Sequence, residues 1–255
     1  MTLQGLGALV TGASRGIGRA VALRLAREGA AVAVNYRSRR DEALSVVKDI
    51  HAAGGRAVAL EADVADPTAA RELVEQARTA LGGLHVLVNN AGITRDGLLW
   101  DVGADAWWDV MKVNFGGAYH CTHAVAPHFM AQRQGAVVNV SSVMGERGWI
   151  GQSNYSASKG ALNAFTRSAA VELARFGVRV NGVLAGIVPT ELVGEVLAKD
   201  GGRGIKRQVP MRSFGTCEQV ASVVAFLAGQ GAEYMTGELV PVDGGLASQL
   251  GIGRP

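Results

Sequence analysis

The feature that most limits what this chain can fold into is a junction close to its start. A short apolar run, Ala8–Thr11, leads into Thr11-Gly12-Ala13-Ser14-Arg15-Gly16-Ile17-Gly18 and then into an amphipathic helical stretch. Strand, glycine-rich turn and helix in that order open a βαβ unit. Gly12 permits a tight exit from the strand, Gly16 lets backbone approach a pyrophosphate, and Gly18 lets helix and strand pack closely. The helix N-terminus then offers unpaired N–H groups and a positive dipole end to phosphates. The spacing is T-G-x-x-x-G-x-G, which makes Gly12, Ser14, Arg15, Gly16, Ile17 and Gly18 candidate nucleotide contacts.

The same alternation continues along the chain. Apolar runs at Ala31–Asn35, Ala57–Glu61, Val86–Asn89, Ala136–Ser141, Arg179–Leu184 and Leu239–Val242 predict strands. Between them, helical windows fall near Gly16–Glu28, Asp41–Ala53, Pro67–Leu81, Ala104–Gln132, Ser153–Phe176 and Thr216–Gly229. Near-continuous apolar runs such as VVNV are those of strands buried on both faces. The expectation is an α/β fold: a Rossmann-type, doubly wound parallel sheet of about seven strands in three layers, α/β/α. No linker, repeat or charge block divides it, so residues 1–255 read as a single domain. The rhythm breaks once, between Leu184 and Thr216, where a short helix at Glu191–Lys199 and a Gly-rich hinge are expected. Insertions of that length are usually functional lids or mobile segments, with a merely decorative loop as the alternative.

Composition removes several function classes. Hydrophobic residues are 48% and charged residues 18%, which gives one sizeable core and excludes a disordered chain. No apolar run reaches the ~18 residues of a membrane span, and the first residues carry no basic region or cleavage site of a secretory leader. A net charge of +3, with Arg37, Arg39 and Arg40 as its one basic cluster, argues against nucleic acid as a partner. Cys121 and Cys217 have no metal-ligand spacing and suit a reducing cytoplasm. No acidic ligand accompanies His120, His123 and His128, so no metal is expected. The chain also lacks the G-x-S-x-G turn of a serine hydrolase.

Tyr155 and Lys159 are four residues apart in a helical window and face the same way. A fixed ammonium near a phenol, together with the positive ring of an oxidised dinucleotide, favours the phenolate and lowers its pKa from about 10, so Tyr155 is expected to exchange a proton with a carbonyl or alcohol oxygen. Ser142 follows the strand Ala136–Ser141, at the end where parallel sheets place their chemistry. A hydroxyl there can hold a substrate oxygen as charge develops on it.

In motif and order the chain resembles the short-chain dehydrogenase/reductase family over essentially all 255 residues. The resemblance rests on the T-G-x-x-x-G-x-G turn, Asp63-Val64, Asn89-Asn90-Ala91-Gly92, Ser142 with Tyr155 and Lys159, and Val242-Asp243-Gly244-Gly245. It implies an adenine contact at Asp63 and Val64 and a cofactor-lining turn at Asn90, Ala91 and Gly92. It selects Ser142 over Ser141, and implies that Lys159 also holds the nicotinamide ribose. Asn114 becomes a fourth catalytic member that breaks helix geometry and holds a water leading from Lys159 to solvent. Gly186, Val188 and Thr190 match contacts beside the nicotinamide, although Ala185 stands where the family usually has proline.

Many NAD-binding relatives carry an acid at the end of the second strand. Here Tyr36 holds that place, followed by Arg37 and Ser38, with Arg15 in the glycine loop; guanidinium forks suit a 2′-phosphate, so NADP(H) is the expected cofactor. Alternatively, Arg37, Arg39 and Arg40 are a solvated helix start.

The pattern is most similar to 3-oxoacyl-acyl carrier protein reductases, which implies NADPH-dependent reduction of a 3-oxoacyl thioester on acyl carrier protein or coenzyme A, in fatty acid biosynthesis. Arg133 matches one carrier-docking position; at the other stands Phe176, with Arg175 one residue earlier. A carbonyl reductase or alcohol dehydrogenase for a free ketone, sugar or secondary metabolite is the alternative, and a non-catalytic nucleotide-binding oligomer the third reading. The helices Ala104–Gln132 and Ser153–Phe176 have more than one apolar face, which suggests a homotetramer or homodimer. Trp149, just ahead of Tyr155, is a candidate for the substrate pocket.

Overall fold

A computed structural model describes residues 3–191, 194 and 202–249. Its strands are β1 (Gly7–Val10), β2 (Ala31–Tyr36), β3 (Arg56–Glu61), β4 (Val86–Asn89), β5 (Gly135–Ser142), β6 (Val178–Ala185) and β7 (Leu239–Val242). They form one sheet in the order β3-β2-β1-β4-β5-β6-β7, and every pairing is parallel. Helices α1 (Gly16–Arg27), α2 (Arg40–Ala52), α3 (Pro67–Leu81), α4 (Ala104–Met111), α5 (Gly117–Gln132), α6 (Ser153–Ala174) and α7 (Cys217–Ala228) make the crossovers. The expected doubly wound sheet is therefore present, with strand ends shifted by a residue or two.

Alternation along the strands sends successive side chains to opposite faces. Ala8, Val10, Val32, Val34, Val86 and Val88 pack on one side with Val21 and Leu25 of α1 and Val220, Val224 and Leu227 of α7. Leu9, Ala33, Leu87 and Val137 pack on the other with Leu73 of α3, Phe129 of α5 and Leu173 of α6. Both faces are covered, which is why the strands read as continuous apolar runs. The order reverses at β1, whose neighbours are β2 and β4, and the carboxyl ends of those strands diverge into a crevice.

Two expectations need correcting. The window Ala104–Gln132 is not one regular α-helix: Lys112–Gly116 forms a π-helical turn between α4 and α5. The proposed helix Glu191–Lys199 lies almost wholly outside the described residues; the next described helical turn is Arg203–Lys206. Among the described residues no helix is long and apolar enough to cross a membrane.

Candidate active site

A cleft of about 490 Å³ opens at the carboxyl ends of the strands. Every residue anticipated as a cofactor or catalytic contact lines it except Asn114, which lies buried behind it. The glycine loop forms one wall. Gly12 and Gly16 take left-handed backbone with φ of 61° and 55°. At Gly18 an added Cβ would lie 2.4 Å from both the Asn90 amide nitrogen and the Gly12 carbonyl, so glycine is required by close approach. Helix α1 starts after Arg15, whose extended backbone leaves the first turn without a side-chain cap. Its N–H groups thus face the cleft, and this cradle fits the phosphates of a dinucleotide.

The ends of four strands are tied together beneath the loop. Thr11 Oγ1 accepts from the backbone N–H groups of Asn90 (2.9 Å) and Ala91 (3.0 Å), and Asn90 Nδ2 donates to the carbonyls of Thr11 and Gly12. Buried Asn35 accepts the Gly12 N–H at 3.1 Å and donates to the carbonyls of Leu60 and Ala62. Sequence reasoning missed Thr11 and Asn35; their polarity inside apolar strands was the available signal.

The basic corner differs in detail from expectation. Arg37 lies 3.7 Å from Asp63, and the Tyr36 hydroxyl donates to Glu61 at 3.2 Å. Arg15 and Arg39 both ion-pair with Glu191, and Arg39 also bonds Glu42 at 2.6 Å. Arg39 and Glu191 line the cleft and were not among the anticipated contacts.

At the cleft floor, Ser142 ends β5 and Tyr155 and Lys159 stand on α6. The Ser142 hydroxyl donates to the Ala185 carbonyl (3.3 Å) and accepts from the Met144 N–H (3.1 Å), and it lowers the pKa of neighbouring Tyr155. Tyr155 packs beside Trp149 and Leu246 against Val143, Met144 and Leu184. Lys159 is buried, and its ammonium donates to the Val140 carbonyl at 2.9 Å, lying 5.6 Å from the Tyr155 ring centre. In the chain alone, burial dominates these acidities. Burial pushes the Tyr155 phenol up to about 12, against a lowering by the Ser142 hydrogen bond and with a further rise from Asp96. Burial lowers Lys159 to about 8. The ammonium is directed at a carbonyl rather than at the phenol oxygen, so desolvation outweighs the assistance that four-residue spacing suggested.

Asn114 sits in the π-turn, which inserts one extra residue between α4 and α5. Its Oδ1 accepts the Ile93 N–H (2.8 Å); its Nδ2 donates to the Ile93 carbonyl (3.0 Å) and to Ser158 (3.1 Å), whose hydroxyl donates to the Tyr155 carbonyl. Asn114 thus couples the turn after β4 to α6 between Tyr155 and Lys159. Ser141 bonds Asn163 at 2.6 Å, a second β5–α6 tie that sequence did not indicate. Ahead of α6, three bonds join residues 95–97 to residues 151–154: Gln152 to Asp96 (3.0 Å), Asn154 to the Arg95 carbonyl (2.8 Å) and the Gly97 N–H to Gly151 (2.9 Å).

Beyond Ser142, Ala185 continues β6, paired with Ser142 and Val242. Gly186 approaches Asp243 so closely that a Cβ would lie 2.5 Å from its Cα. Val188 is buried, and the Thr190 methyl faces Gly16 across the cleft. Arg133 and Arg175 precede β5 and β6, at the opposite edge of the sheet from the cleft. There Arg133 donates to the Arg175 carbonyl at 3.0 Å, and the Arg175 guanidinium covers the Phe176 ring. Among the described residues no group of three or more His, Cys, Asp or Glu could hold a metal ion.

Residues 12–247 match a family described as Enoyl-(Acyl carrier protein) reductase. The chain is 43% identical over 239 residues to the 3-oxoacyl-[acyl-carrier-protein] reductase of Staphylococcus aureus strain Mu50, covering 94% of this chain and 97% of that protein. It is 39% identical over 246 residues to the enzyme of the same name from Pseudomonas aeruginosa, covering 96% and 99%. Among solved structures, a gluconate 5-dehydrogenase from Burkholderia cenocepacia J2315, in complex with NADP and tartrate, superposes with a TM-score of 0.93 at 31% identity, covering 98% of each chain. A candidate short-chain alcohol dehydrogenase from Sinorhizobium meliloti 1021 has the same TM-score at 36% identity, covering 98% of this chain and 99% of that one.

Proposed function

This chain belongs to the short-chain dehydrogenase/reductase family, and from that membership we propose that it uses NADPH to reduce a 3-oxoacyl thioester, carried by acyl carrier protein or coenzyme A, to its 3-hydroxyacyl form. The observation that carries the reading is the Tyr155–Ser142 pair beside Lys159 on the floor of a dinucleotide-sized cleft. A phenol held near 12 is protonated at neutral pH, the form that gives a proton to a carbonyl oxygen. Ser142 would orient that oxygen, and Lys159 holds positive charge 5.6 Å from the ring centre and would hold the cofactor's ribose. Bound NADPH supplies the hydride. The choice of NADPH is supported by Arg15 and the other guanidinium groups that line the cleft and by Tyr36 in place of an acid.

The thioester is supported by the relatives' 39–43% identity along nearly the whole chain. A second reading, oxidoreduction of a free sugar acid or other alcohol, is supported by the likeness to the gluconate 5-dehydrogenase. A substrate panel with NADPH and NADH separates them: turnover of acetoacetyl thioesters supports the first, and turnover confined to free ketones or sugar acids refutes it. NADPH oxidation by the parent no faster than by Tyr155→Phe, with every substrate of the panel, would leave a non-catalytic nucleotide-binding scaffold. Arg133 and Arg175 lie away from the chain's own cleft, so they do not add support for the carrier-bound form. Exposed Tyr119 on α5 and Val171 on α6 support a homotetramer or homodimer built on those helices. The free thiols Cys121 and Cys217 suit a cytoplasmic setting.

A further inference from the structure

The two arginines that converge at the mouth of the cleft are not the pair that the sequence suggests. Arg15 comes from the glycine loop and Arg39 from the residue that precedes α2, and both reach one oxygen of Glu191, Oε2. The Arg39 contact is 3.1 Å. Arg37, next to the end of β2, is turned instead toward Asp63 at 3.7 Å. The charge of Arg39 also lowers the pKa of Arg15, behind the effect of burial, which places the two guanidiniums within electrostatic reach of each other.

Two guanidinium groups on one oxyanion is the arrangement that grips a phosphate monoester, with charge-assisted bonds from separate forks. A carboxylate offers one negative charge and two oxygens; a phosphate monoester at neutral pH offers nearly two charges and three oxygens. Glu191 is the weaker occupant of such a clamp. It is also easily released, because its side chain is 61% exposed and those of Arg15 and Arg39 are 43% and 42% exposed. Exposed ion pairs of this kind are worth little in water. Glu191 directly follows Thr190, whose methyl faces Gly16, so the carboxylate comes from the wall opposite the glycine loop.

We propose that Arg15 and Arg39, rather than Arg15 and Arg37, form the clamp for the 2′-phosphate of an adenine dinucleotide, and that Glu191 is an internal competitor which the phosphate displaces. Glu191 then sets the affinity of the protein for the phosphorylated cofactor without touching its affinity for the unphosphorylated one. This rests on the NADP(H) reading above.

The test is equilibrium titration of the full chain with NADPH and with NADH, followed by the fluorescence of the reduced nicotinamide. Adenosine 2′-monophosphate and adenosine 5′-monophosphate serve as displacing probes. Arg39→Ala is expected to weaken NADPH by about 10- to 100-fold, the range for bonds to a charged group, and to leave NADH within about twofold. Arg37→Ala is expected to cost NADPH less than about threefold. Glu191→Gln is expected to tighten NADPH and adenosine 2′-monophosphate by about three- to tenfold, with NADH and adenosine 5′-monophosphate unchanged, and the gain shrinks as salt rises.

The clamp assignment is overturned if Arg39→Ala weakens both dinucleotides equally, or if Arg37→Ala alone removes the preference. An unchanged NADPH affinity in Glu191→Gln overturns the competitor role. The failure of the underlying reading looks different: the parent protein itself would bind NADH as tightly as NADPH, before any variant is made.

Discussion

Replacing Lys159 by methionine should make the protein more stable at neutral pH while removing the charge proposed to serve catalysis. The ammonium is buried, and its acceptor is the single carbonyl of Val140 at 2.9 Å, although an ammonium has three N–H donors. Burial lowers its pKa from 10.5 to about 8. At roughly 1.4 kcal/mol per tenfold change, that fall corresponds to a cost of about 3 kcal/mol in the charged native state. The sign follows from the direction. A lysine whose folded pKa lies below its unfolded value carries the whole penalty below about pH 8, and the penalty is relieved as pH rises toward 10.5. Methionine keeps the stem's volume and drops the charge; the lost bond to Val140 gives back about 1 kcal/mol.

The expectation is a net gain of about 2 kcal/mol at pH 7, shrinking to nothing or slightly reversing at pH 10.5. Urea unfolding measures it, read by tryptophan fluorescence and circular dichroism, with parent and variant compared at each pH and at equal subunit concentration. A variant less stable than the parent at pH 7 would refute the reasoning. So would a gain that persists undiminished at pH 10.5, because packing and not charge would then be its source.

Three further perturbations test other parts of the site. Asp96 raises the Tyr155 pKa, so Asp96→Asn, which keeps an acceptor for Gln152, should move the rising limb of alcohol oxidation to lower pH in a kcat/KM profile; an unmoved limb contradicts the link. Asn114→Ala leaves the Ile93 N–H and carbonyl without their partners and should cost about 2–4 kcal/mol, seen as a melting temperature lower by roughly 5–10 °C. Gly18→Ala drives a methyl into Asn90 Nδ2 and the Gly12 carbonyl, each 2.4 Å away, and should weaken NADPH and NADH alike by more than about tenfold in fluorescence titration. Loss of one dinucleotide alone would place the strain elsewhere than the shared phosphate cradle.

Much of this was legible along the chain because it is local. A strand, a glycine turn and a helix adjoin in sequence, and strands covered on both faces leave near-continuous apolar runs such as Ala136–Val140, interrupted by Asn139 alone. Tyr155 and Lys159 share a face of α6 for the same reason, and that periodicity told correctly which residues meet but not what they do to one another. What sequence could not show lies between crossovers. Asn35 reaches Gly12 from β2, Ser141 meets Asn163 across β5 and α6, and Glu191 returns from beyond β6 to Arg15 and Arg39. Each contact is set by the sheet's order, which brings the carboxyl ends of distant strands to one edge. The π-turn was hidden for a different reason. One added residue shifts the helical phase too little for a 29-residue window of mixed apolar faces to reveal it, as Ala104–Gln132 shows.

The acidities of Tyr155 and Lys159 have one common cause and opposite senses. Burial disfavours whichever form is charged, so it raises the phenol to about 12 and lowers the ammonium to about 8. Both groups therefore move toward neutrality, yet at pH 7 the lysine still carries its proton and the phenol holds its own. That is the combination a carbonyl reduction needs: a proton to give and a positive charge beside the place where negative charge develops. As pH rises, Lys159 loses its charge long before Tyr155 loses its proton. For the proposed reduction, the alkaline limit is then set by the electrostatic partner and not by the donor.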